Sequence, residues 1–139
     1  MEEAEIEILI AAFEDTSLSH ERWHHREHLI VAYWYVTHFD EKQALEKLRS
    51  GIMKFNAAND IRQTAMGGYH DTLTIFLAKK IRQFLKNLGE SYIHADRLAK
   101  LLLSFADFKG ITKEHYSEKL INSRRARMGW VEPDLKPLE

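Results

Sequence analysis

The sequence predicts an all-α fold, a compact single-domain bundle of about five to six helices with an extended C-terminal tail. Three observations carry this. Both prolines, Pro133 and Pro137, fall at the very end of the chain, so nothing upstream interrupts helical hydrogen bonding. Apolar residues recur at i, i+3, i+4 and i+7 in one segment after another. No stretch alternates with period two between turn pairs, so the signature of a sheet is missing.

Taken in order, Ile6, Leu9, Ile10 and Phe13 form the stripe of a first amphipathic helix. From His25 to about Thr37 the chain is apolar almost all round, which places a second helix in the middle of the bundle. Leu45, Leu48, Ile52 and Phe55 mark a third, introduced by Asp40 as N-cap. After the break at Gly67-Gly68, a fourth carries Leu73, Leu77, Ile81, Phe84 and Leu88. Gly89 and Gly110 bracket a fifth with Leu98, Leu101, Leu102 and Phe105. Thr112 introduces a sixth, from Lys113 to about Arg127, closed by Gly129. Residues 129–139 cannot continue a helix. Their apolar members Trp130, Val131, Leu135 and Leu138 predict a tail that lies back over the bundle.

Composition narrows the function classes. The 139 residues carry 20 basic and 21 acidic side chains, a formal charge of −1, so no global field draws the protein to nucleic acid or an anionic membrane. There is no cysteine, which removes disulfides, thiolate metal sites and cysteine nucleophiles together. The acidic start, Met1-Glu2-Glu3-Ala4-Glu5, lacks the basic region of a secretory signal. The longest apolar run, Leu29 to Val36, is far too short to span a bilayer. A cytoplasmic location follows as the expectation.

The candidate site is made of histidines at helix starts. If a helix begins near His24, His25 and His28 share a face, and His24 with His28 fits the same spacing rule, with His20 one turn further along. Imidazoles three or four apart can converge on one divalent metal. His70, just after the Gly-Gly break, would supply a third ligand, with Asp71, Glu27, Tyr69 and Tyr116 as further contributors. A helix N-terminus disfavours imidazolium and offers free N–H groups, so it suits a neutral histidine and also an anion. The competing reading is a set of hydrogen-bonded packing residues. His38, His94 and His115 read as ordinary surface or boundary positions. Thr74, four residues after His70, can orient that imidazole or bond back to the preceding turn. Arg127, at the end of a basic turn, is an anion clamp or, as the preferred reading, pairs with Glu132 or Asp134 to pin the tail.

Five blocks, Trp23 to Leu29, Tyr69 to Thr74, His115 to Ser117, Ser123 to Arg127 and Val131 to Leu138, carry a resemblance that extends over most of the chain, from about residue 20 to the end. They resemble a group of small, uncharacterised bacterial helical proteins. The resemblance brings no activity with it. It implies that His25 and His28, not His24, are the first-block pair, and that His70, Tyr116, Ser117 and Arg127 fall on the other motif positions. At His24 the group's pattern has a small hydroxyl residue, which with Glu27 would form a capping box.

The leading expectation is therefore a polar pocket lined by His25, His28 and His70. It would bind a divalent metal (zinc, iron, nickel or manganese) or a small anionic molecule, as in a metal-dependent enzyme with Glu27 or Tyr116 moving a proton and Thr74, Ser117 and Arg127 contacting the ligand. The alternative is a non-catalytic ligand-sensing or oligomerisation module, such as a homodimer, whose histidines form a structural network.

Overall fold

A computed structural model describes residues 2–90 and 92–138. Among these there is no strand, and the helices are α1 (Glu3–Glu14), α2 (His25–His38), α3 (Glu41–Ala58), α4 (Asp71–Leu88), α5 (His94–Ser104), α6 (Phe108–His115), α7 (Glu118–Ile121) and α8 (Arg124–Met128), with a 3-10 turn at His20–Arg22. Helix α2 is the axis. Leu29, Ile30, Val31, Ala32 and Tyr33 are almost fully buried, and α2 packs against α1, α3, α4 and α5. Its all-round apolar sequence is what such a position demands.

The predicted stripe of α1 is buried residue for residue, at Ile6, Leu9, Ile10 and Phe13. Phe13 sits in an aromatic cluster, 5.0 Å from Trp23 and 6.5 Å from both Tyr35 and Phe55. The edge of its ring lies on the α3 backbone at Gly51, where a Cβ would enter the ring's van der Waals space. Alanine would gain some helix propensity there, but only by displacing a fully buried ring. Gly51→Ala should therefore lower stability by about 1–2 kcal/mol. Urea unfolding at neutral pH checks this, and an unchanged or raised midpoint would contradict the packing described.

The expected sixth helix is instead three short ones. Asp107 caps α6 through Gly110 N–H, Ser117 caps α7 through Leu120 N–H, and Ser123 caps α8 through Ala126 N–H. Each capping side-chain oxygen offers the backbone a fresh start where the run of helix-forming residues promised continuity. Gly110 consequently lies inside α6 and does not end α5.

The tail does lie over the bundle. Thr72, fully buried, donates its hydroxyl to Gly129 O (2.8 Å) and accepts from Val131 N–H (3.2 Å). Asp134 takes Ser117 N–H and the Ser117 hydroxyl at 2.8 and 2.6 Å. His115 is buried and donates from Nδ1 to Lys136 O (2.8 Å), while its carbonyl accepts from Leu135 N–H. It is a tail anchor, not the boundary residue its sequence surroundings suggested. Phe76, Tyr116, Ala126 and Val131 form a second small core beneath this tail. No helix among the described residues is long and apolar enough to cross a membrane.

Candidate functional site

Because α2 and α4 both begin at one end of the bundle, their first turns meet across a cleft of about 870 Å³. Trp23, His25 and His28 line one side, Tyr69, His70, Leu73 and Thr74 another, and Phe108, Thr112 and Tyr116 of the α6 region a third. Sequence spacing thus brought His25, His28 and His70 to one cavity. His24 is outside it, and so is Glu27. Glu27 accepts from the His24 N–H at 2.9 Å, so its carboxylate is spent at the start of α2. That is the Glu27 arm of the capping box expected for the resembled group, formed here behind a histidine.

The three cleft histidines differ in what their ring nitrogens do. His70 is the N-cap of α4, and its Nδ1 accepts from Leu73 N–H at 3.1 Å. The proton must then sit on Nε2, which donates to Ile121 O at 2.7 Å. Burial lowers the His70 pKa and the Arg127 charge lowers it further, against the pull of the Ile121 carbonyl. Both nitrogens are committed, so His70 has no lone pair left for a metal. His25 donates from Nε2 to Phe105 O at 2.8 Å and lies against the Phe108 ring. His28 makes no hydrogen bond to any described residue. Its ring rests on Trp23, centroids 4.0 Å apart. Burial, with the neighbouring His25 as a second cause, pushes its pKa down to about 4. At neutral pH it is an uncharged donor and acceptor on an otherwise largely apolar wall.

Of the remaining expected site residues, Thr74, Ser117 and Tyr116 serve the fold. Thr74 donates its hydroxyl back to His70 O at 3.0 Å, the local bond of a helical threonine, though it still lines the cleft. Ser117 is divided between capping α7 and holding Asp134. Tyr116 presents its ring to the cleft, but its buried hydroxyl donates to Val131 O at 2.7 Å, and burial together with Glu132 raises its pKa. It has no proton directed at a ligand. Tyr116→Phe should therefore cost about 1 kcal/mol of stability through that single bond. Thermal unfolding tests this, and a variant as stable as the parent would mean the bond contributes nothing. Arg127 pairs with neither Glu132 nor Asp134: Glu132 accepts from the Trp130 indole, Asp134 is held by Ser117, and Arg127 donates to Gly68 O at 3.1 Å.

Among the described residues, no group of three or more His, Asp or Glu side chains is placed to hold a metal ion. The sequence reading missed Arg49, whose Nε and Nη2 grip the two oxygens of Asp71 at 2.9 and 3.1 Å. The Tyr69 hydroxyl completes that carboxylate's shell at 2.7 Å. Arg49 lies one residue past Leu48 of the α3 stripe, and no local signal marks it as facing α4. The chain matches no protein-family model, no curated protein and no solved structure.

Proposed function

We propose that the protein is a non-catalytic small-molecule-binding module whose ligand occupies the histidine cleft. One observation carries this reading: His28, uncharged and without a hydrogen-bond partner among the described residues, lines a cavity whose volume is typical of small-molecule sites. The walls formed by Trp23, Ile52, Leu73, Leu77 and Phe108 suit a mainly apolar body. His28 supplies one donor and one acceptor for a polar head. Lys109 and Lys113 are offset by Asp107 and Glu118 along the same lining, so the cleft favours an uncharged ligand.

A metal-dependent enzyme is the weaker reading on chemistry. It needs a third open ligand beside His25 and His28, and His70 is committed at both nitrogens. It also needs a proton carrier, and both residues expected in that role, Glu27 and Tyr116, are bonded elsewhere.

The test is titration with N-phenyl-1-naphthylamine, an uncharged fluorophore that brightens in apolar sites. One saturable binding event is expected, strongly weakened in a Leu73→Trp variant that fills the cleft while keeping its helical circular dichroism. Absence of saturable binding would overturn the proposal. So would stoichiometric uptake of zinc or nickel that His28→Leu abolishes.

A further inference from the structure

A second cleft, of about 570 Å³, lies on the other side of a wall formed by Asn56, Ile61 and Tyr69, which line both cavities. Two arginines reach it, and they are not equivalent. Arg49 is neutralised by its two-pronged contact with Asp71. Arg127 makes no ion pair with any described residue. Its Nη1 holds Gly68 O, its Nε is buried without an acceptor, and its Nη2 makes no hydrogen bond to any described residue. A buried guanidinium donor without an acceptor is a costly arrangement that an incoming anion would relieve.

Apart from the Asn56 side-chain amide, an uncharged group, the other polar groups of this cleft are already engaged. Both ends of the Gln63 amide bond the Tyr69 backbone, and the Tyr69 hydroxyl goes to Asp71. Asp71 itself is filled, with Oδ1 taking Arg49 Nε and Tyr69, and Oδ2 taking Arg49 Nη2. One uncompensated positive charge therefore stands in the cavity. Around it are Met53, Met128, Ala57 and Ile61, the first two 48% and 64% exposed. Flexible methionines beside a cation suit an apolar body of variable shape.

We propose that this cleft binds a small organic carboxylate, its head on Arg127 and its apolar body between Met53 and Met128. A single net charge matches a monoanion better than a multiply charged phosphate. The site is independent of the His28 cleft, so either reading can fail without the other.

Protein labelled with ¹³C at the methionine methyls reports on it directly, using phenylacetate as probe, phenylacetamide as its uncharged counterpart and inorganic sulfate as a bare anion. Phenylacetate should shift Met53 and Met128 saturably and leave Met66 in place. Phenylacetamide should bind at least about tenfold more weakly. Arg127→Leu should abolish binding. Because Arg127 also holds Gly68, Met53→Glu is the second variant: it adds a negative charge at an exposed wall position and should also abolish the Met128 shift. His28→Leu should leave phenylacetate binding unchanged. The proposal is overturned if phenylacetate gives no saturable shift, if phenylacetamide or sulfate does as well as phenylacetate, or if folded Arg127→Leu and Met53→Glu proteins still bind it.

Discussion

Removing the His70 ring should be among the most damaging single changes at the cleft, costing about 2–4 kcal/mol in a His70→Ala protein. Two separable losses add up to this. The first is the cap on α4, the Nδ1 bond from Leu73 N–H, an interaction worth on the order of 1 kcal/mol. The second is the tie to Ile121 O, which joins the start of α4 to the end of α7 across 51 positions of sequence. Without the imidazole that carbonyl loses its protein donor, and the space left open adds a cavity term. His70→Asn separates the two, because asparagine can cap α4 but is too short to reach Ile121. It should recover about 1 kcal/mol relative to alanine. Urea unfolding of the three proteins measures both steps. Equal stability of His70→Ala and the parent would show that His70 is not the structural tie described here.

Acidification from pH 7 to pH 5 should cost the fold about 2 kcal/mol through His28. In the unfolded chain His28 takes up a proton near its ordinary pKa of 6.5, whereas in the folded protein it resists until about 4. Below pH 6.5 the unfolded state therefore binds more protons than the native one, and stability falls as pH falls. The contribution is complete above 6.5 and is lost progressively down to the folded value. The lowered pKa values of His70 and His94 act in the same direction. Asp15 and Asp134, held below their ordinary range by bonds from Ser17 and Ser117, titrate lower and stay ionised in this window. A His28→Leu protein keeps the apolar contacts and has nothing there to protonate. It should lose about 2 kcal/mol less than the parent over the same interval. Parallel pH profiles for the two would mean that His28 is solvated and titrates normally.

Much of the fold was written locally. The α1 stripe, the all-round apolar α2 and the capped start of α3 at Asp40 follow from periods and caps within a few residues, and each formed as those signals indicate. The stretch after residue 112 did not, because distant partners decide it. Ser117 is drawn out of a continuous helix by Asp134, seventeen positions away, and sequence periodicity is blind to such a contact. The candidate site divides the same way. Helix starts brought His25, His28 and His70 to one cavity, since position along a helix is local information. What each ring does there was set by Phe105 and Ile121, carbonyls 80 and 51 positions away. Arg127 was expected to pair with Glu132 or Asp134, yet its contact with Gly68 instead of the tail depends on how α8 docks against α4.

The three cleft histidines differ in what their rings are bonded to: His70 is fixed with its proton on Nε2, His25 is tied to Phe105, and His28 is neutral and open to a ligand. Long-range ¹H–¹⁵N correlation spectra of the imidazoles, recorded from pH 5 to pH 8 with and without zinc, observe these states directly. The account predicts a single His70 tautomer protonated at Nε2, a His28 ring that stays neutral across the range, and no concerted response of the three rings to zinc. A His28 that titrates near 6.5, or His25, His28 and His70 shifting together at one equivalent of zinc, would contradict it.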